Sequence, residues 1–377
     1  MKKNICLIFG GKSCEHDISI ISALQTIKNL DEYLYNIFPI YVKKNGKMIY
    51  VKNFKNLSFV NDNICKGKSV NFMIGENFLC IKSFGCYRKW KQIDCSIIVM
   101  HGKNGEDGTM SALMNLCNIP YTSSDITSSA ICMDKSVFKR ILKSHDIPVV
   151  DGIEITDNEF YLDTEKCLDR VESEIGFPVI VKPCNLGSSI GIKVCNKRHD
   201  LVNCIEFALK FDKKVLIEEF LSDIKEINVA VARLENEVVV SRMEQPVVSE
   251  DILSFDNKYI MNGEKGGDFL RRKSEPKLSK KAKDEIKIIA KSVYEKLDFR
   301  GVVRFDFIID KKSGNMFLNE ANSIPGSLAN YLFDKPFKEQ LDLQINQGIY
   351  DYQKDESLVK YFQSSVLHGI NFNKFNK

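Results

Sequence analysis

Residues 301–322 read GVVRFDFIIDKKSGNMFLNEAN, and the fold of the C-terminal part of the chain can be inferred from them. Two apolar, strand-like runs flank a polar turn, so the pattern predicts an antiparallel hairpin. The register places Asp306 opposite Glu320 and Arg304 opposite Asn322. Because side chains alternate along a strand with a period of two, all four would lie on one face of the sheet.

The paired carboxylates of this hairpin indicate a metal site. The register assumes a turn centred near Ser313, and it brings Asp306 and Glu320 together as like charges, with Cβ atoms about 4.5–5.5 Å apart. A divalent cation bound between the two carboxylates would offset their repulsion. Two carboxylates and the amide oxygen of Asn322 favour Mg²⁺, which usually keeps water and substrate phosphates as its other ligands. The alternative is a solvated acidic face, which the otherwise apolar run disfavours.

A second segment, VKPCNLGSSIGIKV at 181–194, predicts a loop that binds phosphate between two strands. Gly187 and Gly191 allow the backbone to approach an anion closely, and successive N–H groups can form an anion nest. Lys182 adds a cation. The loop is not a Walker A motif, since it lacks G-K-[ST] and a strand follows it. A structural hairpin turn is the alternative; beside a metal site, we interpret the loop as half of a nucleotide-binding site.

Composition excludes several classes of protein. The chain has 377 residues, a length that predicts two or three domains. Its 54 basic and 50 acidic side chains give a net charge of +4, which is too small to indicate a nucleic-acid partner. It shows neither an apolar run of about 18–20 residues nor a signal peptide, so we expect no membrane association. Twelve cysteines without a C-x-x-C pair indicate buried thiols in a reducing cytoplasm. Five histidines without ligand spacing make a zinc site improbable.

The order of strands and helices predicts a parallel sheet in the first third of the chain. Ligands of such sheets bind beyond the carboxyl ends of the strands, here at 10–16 and 101–108. Further on, the polar stretch 249–276 predicts a mobile lid loop. The predicted strands are 5–9, 38–42, 96–100, 178–182, 190–194, 214–218, 227–233 and 237–242; the predicted helices are 17–30, 128–144 and 280–297, with peripheral hairpins in 45–92.

With these motifs in view, the chain resembles the ATP-grasp superfamily and, within it, the D-alanine–D-alanine ligases. The resemblance implies an α/β and α+β architecture, an ATP-grasp fold preceded by an N-terminal parallel-sheet (pre-ATP-grasp) domain. It rests on eight segments in the family's order: FGGKSCEHDIS (9–19), MHGKNGEDG (100–108), SSAICMDK (128–135), VKPCNLGSSIG (181–191), LIEEFL (216–221), KEINVAV (225–231), RFDF (304–307) and NEANSIPG (319–326).

The resemblance also implies a division into domains. Residues 1–122 would form an N-terminal α/β substrate-binding domain and 123–217 a central ATP-grasp domain. Residues 218–345 would form the C-terminal ATP-grasp domain with the lid loop 249–276, and 346–377 a C-terminal extension. ATP would lie between the central and C-terminal domains.

The nucleotide site is implied residue by residue. The expected cofactors are ATP and Mg²⁺, with Mn²⁺ as a substitute and two ions in all. The phosphates would be bound by Lys135 and Lys182 beneath Gly187, Ser188 and Ser189. The nucleoside would be held by Glu218 with the backbone of Phe220 and Leu221 at adenine, and by Glu226 at the ribose. The metal ligands of the family match Asp306, Glu320 and Asn322, in agreement with the hairpin argument.

The resemblance places the substrates, which are small D-amino acids, at the strand ends of the first domain. Glu15 would bind the ammonium of the first D-amino acid in a hydrogen-bonded triad with Ser188 and Tyr259. Lys258 and Tyr259 would belong to the lid. The oxyanion hole would comprise Arg304 and the backbone N–H of Gly326, and His101 would approach the second substrate. Taken singly, Lys135 also fits a solvated helix lysine and His101 a structural loop histidine.

The chain departs from the family at 326–333, GSLANYLF. Tyr331, followed by Leu332, stands where the family commonly has the serine that holds the second substrate's carboxylate. The expected activity is ATP-dependent joining of two D-alanines through an acyl phosphate, for peptidoglycan synthesis in the cytoplasm, by a homodimer. The alternatives are D-serine or D-lactate as second substrate and another ATP-grasp carboxylate–amine ligase. A non-catalytic nucleotide-binding protein is disfavoured, because the phosphate lysines and metal carboxylates are all present.

Overall fold

The computed structural model describes residues 2–52, 54, 67–246 and 275–360. Three β-sheets with covering helices make up this part of the chain, which confirms the predicted α/β and α+β architecture. The lid residues Lys258 and Tyr259 lie outside the described residues. None of the helices described is both long and apolar enough to cross a bilayer.

The N-terminal sheet has seven strands in the order β6-β5-β4-β3-β2-β1-β7. The predicted parallel part is present, since β1 pairs in parallel with β2 and β7. The strands predicted as peripheral hairpins, β3 to β6, extend the same sheet in antiparallel fashion. The elements are β1 (Lys3–Gly10), α1 (His16–Asn29), β2 (Tyr35–Val42), β3 (Met48–Tyr50), β4 (Lys68–Phe72), β5 (Phe78–Ser83), β6 (Cys86–Gln92), β7 (Cys95–Ile98) and α2 (Thr109–Leu116).

The predicted helix 128–144 is wrong as a single element, because it is divided at Asp134 into α3 (Ile126–Met133) and α4 (Lys135–Ser144). Asp134 has an extended backbone, and its carboxylate accepts hydrogen bonds from the N–H groups of Ser136 and Val137. An aspartate in this position caps the new helix, since it satisfies donors that the first turn leaves without partners. Lys135 therefore stands at the start of α4.

The central sheet is antiparallel with the strand order β10-β9-β11-β8. Its valines and isoleucines on one face pack against three helices. Because side chains alternate, Lys182 and Glu218 occupy the other face, toward α4. The elements are β8 (Gly152–Thr156), α5 (Asp157–Leu162), α6 (Thr164–Glu174), β9 (Val179–Pro183), β10 (Lys193–Cys195), α7 (Arg198–Leu209) and β11 (Lys214–Glu219).

The C-terminal sheet has the order β13-β12-β14-β15, with a helix on its apolar face. The predicted hairpin is present, and Asp306 pairs with Glu320 as Arg304 does with Asn322. The elements are β12 (Ile224–Leu234), β13 (Glu237–Glu244), α8 (Lys280–Lys296), β14 (Val302–Asp310), β15 (Met316–Asn322), the 3₁₀ segment Gly326–Leu332 and α9 (Phe337–Glu356).

The turn of this hairpin differs from the prediction. Near the turn, Phe307 pairs with Leu318, one residue out of the register centred on Ser313. A β-bulge at Asn319 inserts one residue into β15, and this restores the predicted pairing at Asp306 and beyond. The paired carboxylates are thus as predicted, although the turn itself is not.

Two of the predicted domain boundaries fall inside elements. The boundary at 217/218 cuts β11, which pairs with β8 and β9 on both sides through Glu218. The boundary at 345/346 cuts α9, where Leu341 and Ile345 pack into the core of the N-terminal sheet. The division into domains itself stays a prediction.

Candidate active site

Glu15 lies where the N-terminal and central parts of the chain meet. It comes five residues after β1 ends, and its carboxylate accepts a hydrogen bond from the Ser188 hydroxyl. Two glycines confine it: a Cβ on Gly102 would lie 2.6 Å from Oε2, and one on Gly187 would lie 3.2 Å from both oxygens. The structure thus brings two members of the predicted triad together, while Tyr259 lies outside the described residues.

His101 is buried behind the site rather than directed into it. Nε2 lies 2.7 Å from the Ser22 hydroxyl, and Nδ1 lies 2.8 Å from the Ile324 carbonyl oxygen. Burial lowers the pKa of His101 to about 4, and the nearby guanidinium of Arg304 adds to this effect. Both ring nitrogens are engaged within the protein, and the approach of His101 to the second substrate stays a prediction. The neutral ring joins α1 to the segment after β15.

Glu106 is a residue of the site that our sequence analysis missed. Its carboxylate accepts a hydrogen bond from the Gly102 N–H at 3.0 Å, and its backbone carbonyl accepts one from Ser323. Burial, together with the charge of Glu15, raises the pKa of Glu106 to about 8. Its place in the glycine-rich loop GKNGEDG that follows β7 was the available signal.

The phosphate-loop residues are gathered around α4. The Lys135 ammonium donates to the Leu186 carbonyl oxygen at 2.6 Å and lies 4.0 Å from Glu320. Ser188 and Ser189 both have left-handed backbone, with φ of 57° and 58°. Such residues turn the backbone sharply, as a loop that surrounds an anion requires. The structure therefore places the first predicted phosphate lysine between the loop and the metal hairpin.

Glu218 is fully buried between two lysines. Oε2 accepts from Lys182 at 2.6 Å, and Oε1 accepts from Lys139, which our sequence analysis did not single out. Burial alone would raise the pKa of Glu218, but the two ammonium groups outweigh it and lower the pKa to about 2. Its side chain is therefore an ion-pair partner.

Of the remaining groups predicted to contact the nucleoside, one backbone donor is already used within the protein. The N–H of Phe220 donates to the Pro178 carbonyl oxygen at 3.1 Å, so that backbone donor is engaged. The roles of Leu221 and Glu226 in binding adenine and ribose stay predictions. Glu226 lies on β12 on the same face as the metal hairpin, since it alternates with the buried Ile227.

The metal-type side chains form a row across the C-terminal sheet. Arg304 binds Asp306 through two hydrogen bonds of 2.6 and 2.7 Å, and Asn322 donates to Asp306 at 3.1 Å. Burial raises the pKa of Asp306 to about 6 against the lowering effect of Arg304, and Glu320 adds to the rise. Among the described residues there is no group of three or more His, Cys, Asp or Glu side chains that could by itself hold a metal ion.

This donor set fits Mg²⁺ rather than a softer ion. Asp306 and Glu320 are cross-strand neighbours on one face, and the amide of Asn322 adds a third oxygen. Three hard oxygens with room for phosphate and water suit Mg²⁺, which seldom has an all-protein shell. The row continues to Asn228 and Glu244, both buried, which our sequence analysis missed.

The 3₁₀ segment places the predicted second-substrate residues beside Arg304. Its residues Ser327, Leu328 and Ala329 have left-handed backbone, and a Cβ on Gly326 would meet nothing within 4 Å. Nine residues, Arg242, Met243, Glu244, Glu275, Pro276, Lys283, Lys287, Tyr331 and Leu332, line an adjacent cavity of about 420 Å³. Burial raises the pKa of Tyr331 to about 12, so its hydroxyl keeps its proton.

Comparison with known proteins identifies the family. Residues 4–124 match the family model "D-ala D-ala ligase N-terminus" and residues 141–356 match "D-ala D-ala ligase C-terminus". The D-alanine–D-alanine ligase of Thermosipho melanesiensis is 36% identical over 363 residues, which cover 94% of this chain and 96% of that protein. That of Borreliella burgdorferi is 34% identical over 362 residues, with 93% and 97% covered.

Solved structures agree with the sequence relatives. The D-alanine–D-alanine ligase of Helicobacter pylori superposes with a TM-score of 0.73 at 27% identity, covering 92% of this chain and 98% of that one. The VanG D-Ala:D-Ser ligase of Enterococcus faecalis superposes with a TM-score of 0.77 at 25% identity, covering 92% and 100%. The resemblance predicted from the motifs is confirmed: this chain belongs to the D-alanine–D-alanine ligase family.

Proposed function

We propose that the protein joins two D-alanine molecules into D-alanyl-D-alanine, with ATP converted to ADP and phosphate, in peptidoglycan synthesis. The observation that carries the proposal is the assembly of Glu15, Ser188 and Lys135 with the Arg304–Asp306 hairpin around one cleft. A substrate-binding carboxylate, a phosphate loop and a metal-type row are the parts that activation of a carboxylate by ATP needs.

The first step forms an acyl phosphate. A carboxylate oxygen of the first D-alanine attacks the γ-phosphorus of ATP, and the bond between that phosphorus and ADP breaks. Glu15 binds the ammonium of this D-alanine, and Lys135 and Lys182 stabilise the charge on the phosphoryl oxygens. Asp306, Glu320 and Asn322 hold Mg²⁺, which when bound supplies positive charge at the transferring group.

The second step forms the peptide bond. The amine of the second D-alanine attacks the acyl carbon, loses a proton, and phosphate leaves as the acyl C–O bond breaks. Arg304 and the N–H of Gly326 stabilise the oxyanion, and Tyr331 and Leu332 adjoin the second amino acid. Lys258 and Tyr259 belong to the segment that would close over the site and exclude water.

D-serine is the second candidate for the acceptor. The hydroxyl of Tyr331 stays protonated, so it can donate a hydrogen bond to an oxygen of the second substrate. The solved D-Ala:D-Ser ligase of Enterococcus faecalis is also among the similar structures.

The proposal extends to the organisation of the protein. We expect an N-terminal domain up to residue 122, a central domain that includes all of β11, a C-terminal domain with the lid 249–276, and α9 packed back on the first domain. A homodimer, two metal ions, with Mn²⁺ able to replace Mg²⁺, and a cytoplasmic location are part of the proposal. Eleven described cysteines are free and nine of them are buried, which agrees with a reducing compartment.

The test is phosphate release from ATP and Mg²⁺ in the presence of D-alanine, alone or with D-serine, D-lactate or L-alanine. We expect release with D-alanine alone and D-alanyl-D-alanine as the product. Asp306→Ala and Glu320→Ala should abolish turnover, whereas an exposed-surface control, Glu356→Ala, should retain it. Absence of release with every D-amino acid, or normal rates in either metal-site variant, would reject the assignment.

A further inference from the structure

The inference concerns Lys139, which contributes to a buried group of two ammonium ions around one carboxylate. Lys139 and Lys182 bind the two oxygens of Glu218, one oxygen each. Their exposed fractions are 5% for Lys139, 9% for Lys182 and 1% for Glu218. Because two cations share one anion away from water, this group carries a net positive charge that a bound anion can neutralise.

The two lysines are held differently. Lys139 also reaches the amide oxygen of Asn319 at 3.5 Å, so it contacts the central sheet and the C-terminal hairpin at once. Asn319 is the extra residue of the β-bulge next to Glu320, and bulges commonly redirect a side chain beside an active site. Lys182 instead stands near the end of β9, five residues before Gly187 of the phosphate loop.

Helix α4 gives Lys139 its position. Lys135 and Lys139 are four residues apart on this helix, so they project from the same face. Lys135 points to the phosphate loop and Glu320, and Lys139 to Glu218 and Asn319. The helix thus directs Lys135 to the proposed phosphate site and Lys139 to the buried carboxylate of Glu218.

We propose that Lys139 is the permanent counter-ion of Glu218, and that it thereby leaves Lys182 able to turn from Glu218 to the phosphates of ATP. The inference rests on the proposed role of Lys182 in binding phosphate. Without Lys139, that movement would leave a buried carboxylate with no cation, and a buried charge that loses its partner is strongly unfavourable. Lys139 is a positioning residue, since it acts on ATP through Glu218 and Lys182.

The experiment measures binding of a non-hydrolysable ATP analogue with Mg²⁺ by calorimetry, without any D-amino acid, together with the steady-state constants. Lys139→Met should weaken analogue binding by about 30-fold or more and raise the KM for ATP, while the KM for D-alanine changes less than about twofold. Lys139→Arg should restore binding to near the wild-type value. Lys143→Met, an exposed lysine on the same helix paired with Asp151, is the matched control and should bind normally.

A double-mutant cycle separates this role from a structural one. In Glu218→Gln the carboxylate is absent, so adding Lys139→Met should weaken analogue binding less than about threefold further. An equally large effect of Lys139→Met with and without Glu218→Gln would overturn the proposal, as would normal binding by Lys139→Met. If Lys139→Met alone does not fold, the comparison of Glu218→Gln with the double variant still tests the proposal, since both proteins lack the buried charge. A further loss of analogue binding well above threefold in the double variant would then overturn it. Failure of D-alanine ligation in the wild type would instead reject the proposed function and leave these binding results unaffected.

Discussion

The hydroxyl of Ser188 donates a hydrogen bond to the carboxylate of Glu15, a residue 173 positions earlier in the chain. This contact joins the phosphate loop of the central sheet to the strand-end loop of the N-terminal sheet. A substrate held by Glu15 is therefore held at the loop that we expect to bind the phosphates. The position of the reacting carboxylate relative to ATP depends on this contact.

Loss of this hydrogen bond should weaken use of the first D-alanine. Ser188→Ala removes a donor to a charged acceptor, a hydrogen bond that contributes about 1.5–3 kcal/mol, so kcat/KM for D-alanine should fall by about 10- to 100-fold. Steady-state kinetics with D-alanine varied at saturating ATP measure this. The exposed Ser144→Ala serves as control. An unchanged kcat/KM in Ser188→Ala would show that the contact does not hold the substrate site.

Gly102 should be required because its hydrogen faces Glu15. Both Gly102 and Gly46 have left-handed backbone, with φ of 68° and 82°, so alanine at either costs about 1–2 kcal/mol of stability. A Cβ at Gly102 would also lie 2.6 Å from Glu15 Oε2, whereas one at Gly46 would meet nothing within 4 Å. Activity with D-alanine should fall at least about tenfold in Gly102→Ala and stay near wild type in Gly46→Ala. Equal activities in the two variants would contradict the claim that a side chain at position 102 displaces the carboxylate of Glu15.

Gly348 should be required for stability although it lies inside a helix. Alanine is better than glycine in helices by about 0.5–1 kcal/mol, but a Cβ here would lie 2.4 Å from the Tyr121 carbonyl oxygen. Overpacking of this kind costs about 1–3 kcal/mol, so Gly348→Ala should lower the Tm by several degrees. Gln353→Ala, exposed on the same helix, should not lower it. A raised Tm in Gly348→Ala would contradict the close packing of α9 against the backbone of Tyr121.

The buried His101 should make the protein sensitive to acid. Its folded pKa of about 4 lies below the usual 6.5, so as the pH falls the unfolded chain takes up the proton first. The contribution of neutral His101 is complete above about pH 6.5 and is lost progressively toward pH 4, by at most about 3 kcal/mol. Denaturant unfolding across this range should show a shallower loss of stability in His101→Gln than in the wild type. Parallel curves for the two proteins would contradict the burial of a neutral ring.

Some of this site followed from the sequence and some required the packed structure. The turn and strand alternation predicted the pairing of Asp306 with Glu320. A one-residue slip at the turn would have placed Asp306 opposite Asn319, and the pairing held because the bulge at Asn319 offsets that slip. Lys139 was missed because its partner Glu218 lies 79 residues away and meets it only when α4 packs on the central sheet. The sequence left His101 open between a substrate residue and a structural histidine, since only packing shows that both of its nitrogens are engaged.

Activation of a D-alanine carboxylate by phosphorylation in this site can be followed with an isotope. The protein is incubated with ATP, Mg²⁺ and D-alanine labelled with ¹⁸O in its carboxylate, and the released phosphate is examined by mass spectrometry. The mechanism predicts one ¹⁸O atom in each phosphate and one D-alanyl-D-alanine for each phosphate released. Unlabelled phosphate, or phosphate released without dipeptide, would contradict it.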